Sequence, residues 1–351
     1  MTPEKQLEQL VNDENPEQYG QGRSPMQDAY REFRRNIIAV AGVIFIIFIL
    51  LAATFAPFLS PYDFAQQNTF NNREKPFTGY DITEEYAEEN CHWYNTPLEW
   101  GCTTFIAGSD ALGRDLWSRM IYGTRVSLAV AFVASGVSVI IGLTYGTIAG
   151  FAGGRVDNIM MRVVDFLYAV PQLPIIIMMT VYFKALARRG VTTGFMGTLI
   201  FLNKSTGGLL FVFVAIGALN WLGMARQARG QVLSYKEKEF VEAARAIGAK
   251  DGHIITKHLI PNIIGPLLIL ESMAIPGYIY TEAVLSLISL GVDPPTPSWG
   301  AMINEGYATL RSNPHLVLFP GVALTLTTLA FNFMGDGLRD AFDARLRGRK
   351  L

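Results

Sequence analysis

The sequence contains little charge and few cysteines or histidines, and it lacks the motifs that mark most enzymes. Of its 351 residues, 17% are charged, two are cysteine and four are histidine. It has no G-x-x-x-x-G-K-[ST] phosphate-binding loop, so the chain is not its own ATP-driven motor. It has no H-E-x-x-H or G-x-S-x-G motif and no Cys/His cluster at metal-ligand spacing, so we expect no catalytic residues, metal or other cofactor in this chain. With a net charge of −1 and no basic domain, nucleic acid is not an expected partner.

Long apolar runs are what the sequence has instead. Half of its residues are hydrophobic, and they gather into blocks of the ~20 residues that a helix needs to cross the ~30 Å hydrocarbon layer of a bilayer. We therefore predict an all-α membrane protein. Its six predicted transmembrane helices are 36–58, 125–150, 161–183, 207–225, 263–290 and 315–335.

Lysine and arginine residues predict the orientation of these spans. Six spans place both termini on one side, and cations concentrate in the leader (1–35), the loops 151–162 and 226–262, and the tail (346–351). By the positive-inside rule these segments are cytoplasmic. The first span follows a polar leader and is too long for a signal-peptide core, so we expect a retained anchor. One loop opposes the rule, because the predicted outer segment 184–206 carries four cations.

The segment 59–124 is the longest predicted loop and lies outside by this topology. It contains both cysteines, Cys91 and Cys102. A disulfide suits an oxidising exterior and would contribute roughly 2–3 kcal/mol by loop entropy. Two unpaired thiols are the alternative, while zinc ligation with His92 lacks a fourth ligand. The acidic residues of this segment indicate either a contact patch for a basic partner or a solvated helix face: Asp81, Glu84, Glu85, Glu88 and Glu89.

A charged segment, residues 239–262, lies between the fourth and fifth spans. Its first part predicts a short helix with one apolar stripe: Phe240, Val241, Ala244 and Ile247. Gly248 is expected to end this helix in the left-handed conformation. Asp251 is the predicted N-cap of a second helix, which should stop near Ile260 because Pro261 disfavours helical geometry in the residue before it.

The first of these helices is too short to be stable alone. About ten residues fall below the ~12–15 that give even marginal helicity in water, so something must pack on the stripe. A groove of a partner protein, the chain's own membrane helices and the lipid interface are three alternatives. Ala243, Ala244 and Ala246 keep the helix slim enough for a close approach, with Phe240 as its one large side chain.

Glu242-Ala-Ala-Arg-Ala-Ile-Gly248, followed by Ile260-Pro261, resembles the EAA loop of binding-protein-dependent ABC importer permeases. His258 departs from that pattern, which has isoleucine there, and Ile260 replaces its leucine. Other blocks resemble the C-type subunit of the oligopeptide, dipeptide and nickel permeases: Gly108-Ser-Asp-Ala-Leu-Gly-Arg-Asp-Leu-Trp-Ser-Arg119, Gly153-Gly-Arg-Val-Asp157, Met161-Arg-Val-Val-Asp165 and Pro294-Pro-Thr-Pro-Ser-Trp-Gly300. The resemblance covers about residues 30–345 in order.

The resemblance implies a type I ABC importer permease fold, with a permease core at 125–345 and a cytoplasmic coupling helix in the loop 226–262. In this family the coupling helix sits in a cleft of a cytoplasmic ATPase. The residues it implies for that contact are Phe240, Glu242, Ala243, Ala244, Ala246, Ile247, Gly248, Lys250 and Asp251. The implied partners are a second permease subunit, two ABC ATPases that use ATP and magnesium, and an extracytoplasmic binding protein, in a bacterial or archaeal inner membrane.

Three classes of function remain open on the sequence. A permease subunit for di- or oligopeptides comes first, with nickel or another small solute as an alternative cargo of the same family. A secondary transporter would usually show inverted repeats, and none is visible. A membrane scaffold that recruits a soluble protein through the charged segment is the third class.

Two carboxylates inside the fifth span are candidates for the translocation path. Glu271 and Glu282 share one predicted helix face with Tyr278 and Ser289. Intramembrane carboxylates often line a water-filled path, so this face is expected either to do so or to hydrogen-bond to neighbouring helices.

In the second span, small residues recur at every fourth position. They are Gly142, Gly146 and Gly150. This spacing predicts close helix packing, against either the chain's own bundle or a partner subunit.

Overall fold

The computed structural model describes residues 25–78, 82–93, 96–189 and 193–347. The leader residues 1–24, Asp81 and the last tail residues 348–351 lie outside the described residues. In the described part the helices are α1 (Pro25–Arg35), α2 (Ile37–Thr54), α3 (Ala56–Leu59), α4 (Glu84–Asn90), α5 (Trp100–Thr103), α6 (Leu116–Ala152), α7 (Gly154–Ala169), α8 (Gln172–Arg188), α9 (Gly194–Ser205), α10 (Leu209–Tyr235), α11 (Glu239–Ala246), α12 (Asp251–His253), α13 (Ile260–Leu287), α14 (Trp299–Tyr307) and α15 (His315–Arg347). A π-helical turn (Ile254–Leu259) joins α12 to α13.

The architecture is all-α, as predicted from the apolar runs. Five helical stretches in the described part are long and apolar enough to cross a membrane: α2, α6, α10, the continuous stretch Asp251–Leu287, and α15 to Phe342. The number rises to six when α7 and α8 are counted together as one broken span.

The third predicted span, 161–183, is wrong as a straight helix. The chain bends by 82° between α7 and α8. Pro171 causes the break, because a proline pushes the residue before it out of helical geometry, and Val170 is extended with ψ of 132°. Hydropathy averaged over a window does not register this interruption.

Other spans differ from prediction mainly in length. The second, predicted at 125–150, begins at Leu116, where the Asp115 carboxylate caps the helix by accepting from the Ser118 backbone N–H at 2.8 Å. The first ends at Thr54, ahead of the separate short helix α3.

The glycines of the second span face the chain's own bundle. A Cβ added at Gly142 would lie 2.5 Å from the Cβ of Met224, and one at Gly150 would lie 3.0 Å from the carbonyl oxygen of Arg229. A Cβ added at Gly146 would lie 2.2 Å from the carbonyl oxygen of Ala225 and 2.8 Å from the Cβ of Ala228, both in α10. The glycines therefore let α6 and α10 approach closely. Of the two predicted packing partners, the chain's own bundle and a second subunit, these glycines contact the chain's own bundle.

Candidate functional site

The turn after α11 has the geometry that the sequence predicts. α11 is eight residues long, and Gly248 follows it with a φ of 83°. In this left-handed conformation the Gly248 N–H donates to the Arg245 carbonyl oxygen at 2.9 Å, and the Ala249 N–H donates to that of Ala244 at 3.0 Å. Carbonyl groups at the helix end are thereby satisfied, and the chain reverses sharply.

The apolar stripe of α11 divides into a buried part and an exposed part. Val241 is fully buried and Ala244 nearly so, and both pack with Ile254 against the N-terminal part of α13. Ile247 is 86% exposed and Phe240 is 39% exposed. The chain's own helices therefore hold α11 in place by one edge, and its other edge remains available to a partner.

The second predicted helix does not stop at Ile260. Instead α12 continues through the π turn into α13, giving one helical stretch from Asp251 to Leu287. Pro261 is tolerated because it lies at the junction between the π turn and α13, where the wider π turn relieves crowding against the proline ring. The N-cap is Lys250 rather than the predicted Asp251. Asp251 is the first helical residue, and its negative charge there is stabilised by the positive end of the helix dipole.

Eight of the nine residues implied for the ATPase contact are exposed, and only Ala244 is buried. We call the exposed set the coupling surface: Phe240, Glu242, Ala243, Ala246, Ile247, Gly248, Lys250 and Asp251. It combines one aromatic side chain, one isoleucine and charges of both signs around a glycine and two small alanines. Such a surface suits a groove that approaches the helix backbone closely.

Two contacts around α11 were not foreseen from the sequence. The guanidinium of Arg245 lies over the Phe151 ring at 5.5 Å, which ties α11 to the end of α6. The ring of Phe240 lies 6.4 Å from that of His258, the residue that departs from the family pattern. Neither contact was predicted because each joins residues from different helices.

The polar face of the fifth span is internal in this structure. Glu282 is fully buried and accepts hydrogen bonds from the hydroxyls of Ser127 at 3.0 Å and Ser286 at 2.7 Å. Glu271 accepts from the hydroxyls of Ser138 at 3.1 Å and Tyr278 at 2.8 Å. Both carboxylates therefore join α13 to α6.

Glu271, Tyr278 and Glu282 are buried within this chain, and their role in a translocation path stays a prediction. The alternative, hydrogen bonding to a neighbouring helix, is what the structure contains. Ser289 does not belong to this face, because it follows the end of α13 with a φ of 62° and is exposed. Its hydroxyl instead accepts from the Asn304 side-chain amide at 3.1 Å.

An ion-pair cluster at the opposite end of the bundle fixes α14. Arg114 pairs with Asp110 at 2.6 Å and with Glu305 of α14 at 2.8 Å. Arg119 also pairs with both carboxylates, at 2.6 Å in the case of Glu305. Three of the four charged residues belong to the block 108–119, which resembles the permease family. The fourth, Glu305, belongs to α14, far away in the sequence.

Cys91 and Cys102 are joined by a disulfide in the segment 59–124. Cys102 is fully buried, and the nearby Trp93 ring packs in the same cluster. Glu84, Glu85, Glu88 and Glu89 are exposed on α4, in agreement with a solvated helix face.

The N-cap of α6 is also a buried acid. Burial raises the pKa of Asp115 to about 6, against the opposing effect of its hydrogen bonds from Ser118.

Comparison with known proteins gives the class of this chain. Residues 142–348 match the family described as "Binding-protein-dependent transport system inner membrane component". Residues 24–76 match the "N-terminal TM domain of oligopeptide transport permease C". The chain therefore belongs to the binding-protein-dependent transport permeases.

Similarity to curated relatives gives a finer assignment. The chain is 38% identical over 337 residues to "Oligopeptide transport system permease protein OppC" of Haemophilus influenzae, covering 96% of this chain and 94% of that protein. It is 36% identical over 323 residues to "Dipeptide transport system permease protein DppC" of Bacillus subtilis, covering 92% of this chain and 86% of that protein. Within the family it is thus a C-type permease of the oligopeptide and dipeptide group, a group of transport subunits whose ATPase is a separate subunit.

Similarity to solved structures includes the inward-facing MetNI methionine ABC transporter. The TM-score is 0.46 at 19% identity, and the match covers 63% of this chain and 95% of that chain.

Proposed function

We propose that this chain is one of two permease subunits of an ATP-driven importer and forms half of a translocation path for di- or oligopeptides. The observation that carries the proposal is the coupling surface. It is an exposed helix edge held to the bundle through Val241 and Ala244, next to a helical stretch that runs from Asp251 across the membrane to Leu287. A force applied to α11 would therefore reach the spanning helices directly.

The complete importer would contain this chain, a second and different permease subunit, two cytoplasmic ABC ATPases and an extracytoplasmic substrate-binding protein. ATP and magnesium would be bound by the ATPases, since this chain has no phosphate-binding loop. Peptides are the favoured cargo because similar proteins are named for oligopeptide, dipeptide and glutathione transport. Nickel complexes or another small solute are the alternative cargo.

We assign the chain to a bacterial or archaeal inner membrane, with both termini in the cytoplasm. The distribution of lysine and arginine supports this orientation. The Cys91–Cys102 disulfide supports it independently, because it belongs in an oxidising compartment and lies in the segment predicted to be outside. Single cysteines placed at Glu85 and at Glu237 provide a test, since a membrane-impermeant thiol reagent added to intact cells should label only the first.

The function itself is tested by reconstituting the complete complex in vesicles. ATPase activity is measured with the binding protein and a panel of dipeptides, longer peptides, nickel and sugars. Stimulation and uptake with peptides alone support the proposal, while stimulation by nickel alone supports the alternative cargo. Purification without ATPase subunits or a second permease would instead favour the membrane scaffold.

A further inference from the structure

Two tryptophans of the segment 59–124, which we call the outer segment, hydrogen-bond to the end of the short helix α3. The indole N–H of Trp93 donates to the carbonyl oxygen of Phe58 at 3.0 Å, and that of Trp117 donates to the carbonyl oxygen of Leu59 at 3.0 Å. Phe58 and Leu59 end α3, the short helix directly after α2. These hydrogen bonds hold the outer segment at the level where the chain leaves the apolar layer, which is where tryptophans concentrate in membrane proteins.

The residues 96–103, which we name the foot, lie directly on Trp93. A Cβ added at Gly101 in the foot would lie 2.7 Å from carbon atoms of the Trp93 ring. The Trp93 ring hydrogen-bonds to the Phe58 carbonyl oxygen on one side and contacts the foot on the other. The foot therefore packs beside the point where the chain leaves the first spanning helix and α3.

The foot exposes large apolar side chains at this level. Trp100 is 51% exposed and Leu98 is 45% exposed. On the adjoining end of the first span, Phe55 and Phe58 are exposed as well. Exposed indole and leucine side chains are unfavourable in water but stable at a bilayer interface, where the indole ring has both apolar and polar neighbours.

Charge is segregated away from the foot. α4 exposes four glutamates to water, whereas the foot carries one, Glu99. The Cys91–Cys102 disulfide joins the end of α4 to α5 and so fixes these two surfaces relative to each other. A foot with one negative charge and no positive charge fits zwitterionic lipid rather than an anionic surface.

We infer that the foot is a membrane contact in which Trp100 and Leu98 lie among the headgroups and upper acyl chains of zwitterionic lipid. The disulfide and the Trp93 ring hold the foot in that position. The inference goes beyond the transport function, because it requires only that α2 spans a bilayer and involves neither substrate nor ATPase.

The test uses the full-length chain in phosphatidylcholine nanodiscs whose lipids carry bromine atoms on the upper acyl chain. Subtracting the fluorescence of Trp100→Phe from that of the unmodified chain isolates the emission of Trp100. We expect brominated lipid to remove most of this emission and aqueous acrylamide to remove little. A matched control, Trp100→Phe combined with Glu88→Trp, moves the reporter to α4 and should show the reverse.

Two results would overturn the inference. Quenching of Trp100 by acrylamide and not by brominated lipid would place the foot in water. Protection from both quenchers would mean that protein covers it. If Trp100→Phe fails to form the disulfide, Leu98→Trp provides the same test with Trp100 retained, and its added emission must be quenched by brominated lipid.

Discussion

Removing the carboxylate of Glu305 should destabilise the end of the bundle that contains α14, because it leaves two buried guanidiniums facing one carboxylate. Glu305 makes three contacts of 2.6–3.0 Å with Arg114 and Arg119. The side chain of Arg119 is 1% exposed and that of Glu305 is 37% exposed. Breaking a fully buried pair costs about 3–5 kcal/mol, and the partial exposure of Glu305 reduces our expectation for Glu305→Ala to about 2–3 kcal/mol.

Thermal unfolding of the purified full-length chain measures this effect. Glu305→Gln keeps an acceptor for the guanidiniums but loses the charge, so it should fall between Glu305→Ala and the unmodified chain. Glu85→Ala, on the exposed face of α4, is the control and should leave the unfolding temperature unchanged. If Glu305→Ala behaves like Glu85→Ala, the cluster does not fix α14 and the reasoning is refuted.

Three further predictions follow from packing and charge. Gly146→Leu should lower the unfolding temperature by overpacking α6 against α10, at a cost of about 1–3 kcal/mol, whereas Gly136→Leu on the same helix meets open space and should not. Ala244→Asp should release α11 to proteolysis in the isolated chain, while the exposed Ala246→Asp should not. The raised pKa of Asp115 makes its ionised form unfavourable in the folded chain, so stability should fall as pH rises from about 4 through 6. Asp115→Asn should remove this dependence, and an unfolding-temperature difference between variant and parent that is constant with pH would contradict it.

Local signals in the sequence were enough to predict the spanning helices and the turn after α11. Apolar runs specify spans because a bilayer requires continuous hydrophobic surface, and Gly248 specifies the turn because left-handed geometry favours glycine. The same local reasoning failed to predict the effect of two prolines on helix continuity. Pro171 breaks a helix that hydropathy predicts to be continuous. Pro261 lies within a continuous helical stretch, although a proline disfavours helical geometry in the residue before it.

Contacts between distant residues could not be predicted from the sequence. Arg119 and Glu305 are 186 positions apart, and nothing local to either residue identifies the other. The same limit explains Glu271 and Glu282. Helical periodicity placed them on one face, but the hydroxyls of Ser127 and Ser138 come from α6, which the sequence does not place against that face.

The central claim is that the coupling surface receives the movement of a separate ATPase. Substrate-stimulated ATPase activity of the reconstituted complex tests it most directly, measured for Glu242→Lys and Gly248→Pro beside the control Glu237→Lys. Glu237 is exposed but lies outside the coupling surface. We predict that the first two variants lose either ATPase assembly or about tenfold or more of the stimulation, as expected for central interface residues, and that the control loses neither. Normal assembly and normal stimulation in both Glu242→Lys and Gly248→Pro would contradict the claim.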